Sequence, residues 1–202
     1  MTLETTKSSK FSTELFDTRE LRDALGTFAT GVTIVTAMLP TGQPIGFTAN
    51  SFTSVSLDPP LILVCIAKTA AGYATYTSTG SFCVNVFSED QRDLSGTFAQ
   101  RGTDKFVGVS WHQNQTGSPI IDGGIGHFDC SMHQIVDAGD HAILIGRVVG
   151  FDANNDAPLC YHRGKYVALE TATPKPANYL AACTFDVPHL KQKLIQSMGD
   201  QS

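Results

Sequence analysis

Charge is scarce in this chain, and several signatures are missing altogether. Asp, Glu, Lys and Arg make up only 16% of the 202 residues, and the formal net charge is -5. No basic stripe runs along any segment, so nucleic acid is not expected as a partner. No apolar run approaches the about 20 residues of a membrane-spanning helix, so no membrane contact is expected. The opening MTLETTKSSKFSTELF lacks the apolar core of a signal peptide, which predicts a cytoplasmic protein. The five cysteines (Cys65, Cys83, Cys130, Cys160, Cys183) are widely spaced with no C-x-x-C. An odd, scattered set predicts reduced thiols, with Cys65 and Cys83 as small core residues inside apolar runs.

The usual catalytic spacings are absent too. The six histidines are scattered and H-E-x-x-H does not occur, so no metal site is expected. Gly26 to Gly31 (GTFATG) has glycines spaced as in a P-loop, but Val32-Thr33 follows instead of Lys-Ser/Thr. No G-x-G-x-x-G opens a helix after a strand, and no G-x-S-x-G elbow supports Ser/His/Asp hydrolysis.

What remains describes a soluble-type core built mainly of strands. Hydrophobic residues reach 42%, enough for one domain at about 100–200 residues per domain. The expected organisation is a polar arm at 1–16, a domain at 17–170, and a Pro-containing linker with a short helix at 171–202. Asp17-Thr18-Arg19-Glu20 reads as a capping box opening a helix with Leu21, Leu25 and Phe28 on one face, closed by Gly31. Strands are predicted at Val32–Met38, Leu61–Ile66, Phe82–Phe87, Phe128–Val136, Ala142–Phe151 and Tyr166–Leu169. The unbroken apolar run Leu61–Ile66 predicts burial on both faces. Helical intervals are predicted near Ala70–Ser78 and at Glu89–Gln100, with Ser88 as N-cap. Many short strands and few helices predict a mainly β fold, a closed antiparallel barrel rather than βαβ winding.

Three polar clusters carry candidate chemistry. Gly46 to Pro60 (GFTANSFTSVSLDPP) places Thr48, Ala49, Asn50 and Ser51, then Val55 and Ser56, ahead of a buried strand. Such small polar residues suit the edge and face of a planar heterocycle, and equally suit a plain connecting loop. Ala67-Lys68-Thr69-Ala70-Ala71-Gly72, leading to Thr75, follows that strand; a Lys, a Thr and a helix start suit a phosphate. Arg101 and Lys105 (RGTDKF) offer further positive charge, or are a solvated pair. Gly139-Asp140-His141 precedes the strand AILIGRVV, and Tyr161 to Tyr166 (YHRGKY) follows it. A carboxylate beside His141 can orient the ring, and Arg163 can fork onto a phosphate.

In this order and spacing, the segments LRDALGTFATGVTIVTA, GFTANSFTSVSLDPPLILVCI, FCVNVF, RGTDKF, AGDHAILIGRV and YHRGKY resemble the flavin reductase-like family of FMN-binding split barrels. The resemblance covers roughly Leu21 to Leu169. It implies a six-stranded antiparallel Greek-key split β-barrel with a few flanking helices, assembled as a homodimer. It also implies an NAD(P)H-dependent flavin reductase, taking FMN or FAD and NADH or NADPH, that supplies reduced flavin to a partner monooxygenase, with aromatic hydroxylation as the downstream reaction. By resemblance, Thr48, Ala49, Asn50 and Ser51 line the flavin ring, with Val55 and Ser56 beside them. Ala67, Lys68, Thr69, Thr75 and Arg101 hold the phosphate end. Gly139, Asp140 and His141 match the family's nicotinamide-binding signature, with Arg163 and Tyr166 flanking that nucleotide. His141 is the residue singled out for the reaction, as a positioning group. Residues 67–72 read AKTAAG where relatives carry a more Ser- or Arg-rich loop, which leaves FMN against FAD open. A non-catalytic flavin-binding protein and an FMN-dependent oxidase on the same barrel are the alternatives.

Overall fold

A computed structural model of the chain describes residues 17–102 and 104–169. The chain divides into two units, Met1–Leu169 and Glu170–Ser202, and the described residues lie in the first. The arm expected at 1–16 and the tail expected at 171–202 fall outside them.

Twelve strands are found among the described residues: β1 (Thr30–Gly31), β2 (Thr33–Met38), β3 (Pro44–Ala49), β4 (Thr53–Leu57), β5 (Pro60–Ala67), β6 (Ser81–Val86), β7 (Trp111–Gln113), β8 (Pro119–Ile121), β9 (Gly126–Ala138), β10 (His141–Ala153), β11 (Cys160–His162) and β12 (Lys165–Val167). Seven join one antiparallel sheet in the order β3-β2-β6-β9-β10-β5-β4. The sheet curls until β3 and β5 line the same core without hydrogen-bonding to each other. That unpaired seam is the split of the barrel. The resemblance implies six strands; the seventh is β4, because the polar stretch after Ser51 is itself a strand rather than a loop. β4 pairs with β5 from Thr53↔Leu63 to Leu57↔Pro60, with a bulge at Val55.

Strand alternation decides what is buried. Along β5, Ile62, Val64 and Ile66 point into the core while Leu61, Leu63 and Cys65 stay half-exposed. The apolar run therefore has one covered face, not the two its composition predicts. β10 repeats the pattern, with Ala142, Leu144 and Gly146 inward and Ile143 and Ile145 outward. The core between the curled strands gathers Val35, Ala37, Phe82, Val84, Cys130 and Leu144. A second cluster, built on Ile34, Phe87, Phe98 and Phe106, fills the space between the sheet's other face and a helix.

Three α-helices are found among the described residues. α1 (Thr18–Leu25) starts as predicted at Asp17, whose carboxylate accepts from the Arg19 amide at 2.7 Å; the cap forms to this residue rather than through a reciprocal bond with Glu20. It stops at Gly26, five residues before Gly31. Its apolar stripe is unpartnered among the described residues, with Leu21 49% and Leu25 68% exposed. α2 (Tyr73–Ser78) is shorter than predicted, and α3 (Arg92–Ala99) follows a 3₁₀ turn capped by Ser88. That cap is reciprocal: the Gln91 side chain accepts from the Ser88 amide at 3.2 Å. The β11–β12 hairpin turns through Arg163 (φ 48) and Gly164 (φ 76), the two left-handed positions of a two-residue turn that matches strand twist.

Candidate functional site

The seam between β3 and β5 opens into a cleft of about 610 Å³. One wall is the free edge of β3, from Pro44 to Thr48; opposite lie Ile66, Ala67 and the connection to α2; the end of α3 with residues 98–102 and 104–106 closes the third side. An isolated glycine inside a strand marks a close backbone approach, and Gly46 does so here. A Cβ on it would stand 2.5 Å from the Phe98 ring. Phe98 is fully buried and stacks edge-on against Phe106.

Polar contacts fix the cleft walls. Thr48 Oγ1 donates to the Ser95 carbonyl of α3 at 2.7 Å. Tyr76 of α2 is buried, and its hydroxyl donates to the Val35 carbonyl at 2.8 Å. Burial alone pushes that phenol well above its ordinary range, so it acts as a neutral strut. Lys105 Nζ donates to the Phe98 carbonyl at 2.8 Å and the Gly46 carbonyl at 3.1 Å. An ammonium at the last carbonyls of a helix is favourably placed. Burial holds the Lys105 pKa below the usual lysine value. Arg101 lies in the same cleft, exposed.

The predicted residues therefore separate. Thr48, Ala67, Thr69, Thr75 and Arg101 line the cleft. Lys68 does not: its ammonium bonds Asp137 at 2.8 Å, which raises its pKa, chiefly through that hydrogen bond. With α2 only six residues long, the cations on the cleft side are Arg101 and Lys105. Ala49 is buried, and Asn50 is exposed at the corner after β3. Ser51 Oγ accepts from the Cys65 amide at 2.9 Å and so continues the β4–β5 ladder with its side chain. Val55 and Ser56 sit on β4 at the bulge, Val55 exposed.

Gly139, Asp140 and His141 form the β9–β10 turn, with Gly139 at φ 66. His141 pairs in register with Ala67 across β10–β5, and the Asp140 carbonyl accepts from the Lys68 amide at 2.9 Å. This turn therefore adjoins the start of the 67–72 connection. His141 Nδ1 lies 2.7 Å from Asp140 Oδ1, and this hydrogen bond is the main cause of the lowered Asp140 pKa. Tyr166 shares a 2.9 Å hydrogen bond with Ser95 Oγ and carries the Arg92 guanidinium over its ring at 5.1 Å. Arg163 is exposed at the hairpin tip, its amide donating to the Gly26 carbonyl at 2.8 Å. Ser95, Tyr76, Phe98, Leu39 and Gln43 belong to the site but were not read from the sequence. Only Gly46 carried a signal for one of them, through the close approach of Phe98. Among the described residues, no group of three His, Cys, Asp or Glu side chains is placed to hold a metal ion.

The family model described as "Flavin reductase like domain" matches residues 25–170. The chain is 55% identical over 153 residues to a probable flavin reductase of Rhizobium meliloti (strain 1021), covering 76% of this chain and 49% of that protein. It is 40% identical over 175 residues to the reductase subunit HsaB of a flavin-dependent monooxygenase from Rhodococcus jostii (strain RHA1), covering 86% of this chain and 89% of the subunit. The chain thus spans about half the length of some relatives and most of others. Among solved structures, the Streptomyces globisporus C-1027 NADH:FAD oxidoreductase SgcE6, in complex with NAD and FAD fragments, superposes with a TM-score of 0.74. It is 34% identical, with 80% of this chain and 99% of that chain covered.

Proposed function

Since the chain belongs to the flavin reductase like domain family, we propose that it is an NAD(P)H-dependent flavin reductase that reduces FMN or FAD and passes the reduced flavin to a flavin-dependent oxygenase component, with aromatic hydroxylation downstream. The observation that carries this reading is the cleft at the barrel seam, hydroxyl-lined beside β3 and cationic beside α3. Its residues fit the cofactor. Thr48, Thr69 and Thr75 offer neutral hydroxyls. Lys105 spends two of its three N–H bonds on carbonyls and keeps one for an anion.

A flavin bound there supplies the hydride-accepting ring. The chain's own contribution is to bind, orient and release. Thr48 forms the ring end of the cleft, and Ala67, Thr69, Thr75, Arg101 and Lys105 form its phosphate end; Ala49, Asn50, Ser51, Val55 and Ser56 do not line it, and serve the ring only where the flavin reaches past Thr48. Gly139, Asp140 and His141 position the nicotinamide nucleotide, with Arg163 and Tyr166 flanking it; the Asp140 carboxylate fixes the His141 ring. NADH is the favoured donor, because the Streptomyces relative is an NADH:FAD oxidoreductase. The neutral ring end suits a flavin that must leave once reduced.

A homodimer and a cytoplasmic location belong to the same proposal. Leu61, Leu63, Ile143 and Ile145 are neighbours on the outer sheet face and are only half-buried within one chain, which suits a second copy. No described helix is long and apolar enough to cross a membrane. The test is to mix the full chain with NADH or NADPH and free FMN or FAD, and follow loss of reduced-nicotinamide absorbance. Oxidation that depends on added flavin supports the reductase. A yellow protein that oxidises neither nucleotide would instead be a flavin carrier.

A further inference from the structure

We propose that the cleft is shaped for a flavin carrying an adenylate half, with Leu39 and Gln43 selecting it over the mononucleotide; this rests on the flavin reading above. The cleft follows the free edge of β3, and contacts mark levels along it. Thr48 is tied to Ser95 at one end. At the middle, Lys105 reaches the Gly46 carbonyl, and a Cβ on Gly72 would stand 3.4 Å from Ile45 Cδ1. The cleft does not stop there. It continues to Pro44 and then to Gln43 and Leu39 in the β2–β3 turn.

Thr48 to Pro44 is roughly 13 Å of extended strand. A ring at the Thr48 end, with its first phosphate at the Lys105 level, leaves the stretch beyond the cation unfilled. That stretch offers the apolar surfaces of Leu39 and Pro44 and the amide of Gln43. An apolar face with one amide donor and acceptor suits a purine base. Lys105 stands between the two ends, at the level where a pyrophosphate would lie; Arg101 and the Asp104 carboxylate line the same cleft. The turn is held by its backbone, since the Leu39 amide donates to the Gln43 carbonyl and the Gly42 amide to the Leu39 carbonyl, each at 2.9 Å. Neither bond uses a side chain, so truncating Leu39 and Gln43, which line the cleft, leaves both in place.

The experiment is calorimetric titration of the full chain with FAD, FMN and riboflavin, repeated on the Leu39→Ala/Gln43→Ala double variant, with circular dichroism to check the fold. The native chain is expected to bind FAD about tenfold more tightly than FMN. The double variant is expected to lose most of that ratio through weaker FAD binding, and Gln43→Ala alone to lose part of it. FMN binding as tightly as FAD to the native chain, or an unchanged ratio in both variants, overturns the inference and leaves the flavin reading standing. Failure of all three flavins to bind overturns both.

Discussion

Lys105 and Phe98 are joined by a 2.8 Å hydrogen bond from the ammonium to the carbonyl near the end of α3. The same ammonium reaches Gly46 on β3, so one lysine clips a helix end to a sheet edge across the cleft. Replacing it with Met removes both bonds and the charge. Flavin phosphate affinity is expected to fall about tenfold or more, measured as Kd for FMN against riboflavin. Riboflavin, lacking the phosphate, should change much less.

The lowered Lys105 pKa gives this cation a pH signature. Its protonated form is disfavoured by burial in the folded chain. As pH rises through the lowered value, Lys105 loses its charge before an ordinary lysine would, and FMN affinity should decline over that window. The stability contribution has the opposite sign: the unfolded chain holds the proton longer, so stability from this group rises with pH there. Lys105→Arg should keep FMN affinity flat across the same range. A native profile as flat as that of the Arg variant would show that the lysine charge is not used.

Lys68 provides the contrast. Its ammonium is committed to Asp137 on the exposed side of β9, and exposed ion pairs contribute little. Lys68→Ala is expected to change the FMN Kd by less than about twofold, whereas a direct phosphate contact would cost far more.

His141 sits on the β9–β10 turn and does not line the cleft. His141→Ala is therefore expected to raise the KM for NADH several-fold while leaving the flavin Kd within about twofold. Asp140→Asn, which keeps a hydrogen-bond acceptor for His141 but removes the charge, should fall between. Collapse of flavin affinity with normal nicotinamide kinetics would remove this turn from the nucleotide site.

Much of this was legible in sequence because strand periodicity and turn chemistry are local. The runs FCVNVF and AILIGRVV became β6 and β10, and Ser88 capped its helix as its spacing predicts. What was not legible depends on the closing of the sheet. Nothing around Lys68 shows that it faces Asp137, sixty-nine residues away, or that Lys105 faces the cleft. Leu61–Ile66 reads as doubly buried because its outer residues are apolar too. Within one chain that face is left half-open, so composition recorded an apolar surface without saying what covers it. Ser51 was chosen for its hydroxyl, and the hydroxyl is used, but to accept from the Cys65 amide and extend a ladder.

If a second copy covers that face, a charge at its centre should separate the two. Leu63→Glu places a carboxylate between Thr53 on β4 and Ile145 on β10. Light scattering is expected to report a monomer for this variant and a dimer for the native chain, with strand circular dichroism unchanged. A dimer that survives the substitution would place the interface elsewhere.

Two glycines test the packing that shapes the barrel. A Cβ on Gly146 would stand 2.5 Å from the Phe82 ring and 2.8 Å from Cys130 Cβ, whereas a Cβ on Gly96 meets nothing within 4 Å. Phe82 and Cys130 are fully buried, so neither can move without disturbing the core. Gly146→Ala is expected to cost roughly 1–3 kcal/mol, the usual range for overpacking. Gly96 lies inside α3, where Ala restricts the unfolded chain and favours the helix, so Gly96→Ala should stabilise by roughly 0.5–1 kcal/mol. Urea melts of the two variants should therefore move in opposite directions. Site-resolved thiol labelling checks where the first effect falls. The Cys130 thiol is buried, and its pKa is pushed up to about 12, chiefly by that burial. It should resist a maleimide in the native chain, and label faster in Gly146→Ala if Cys130 is the neighbour displaced. An unchanged Cys130 rate alongside a lowered melt would mean that the Phe82 ring gives way instead.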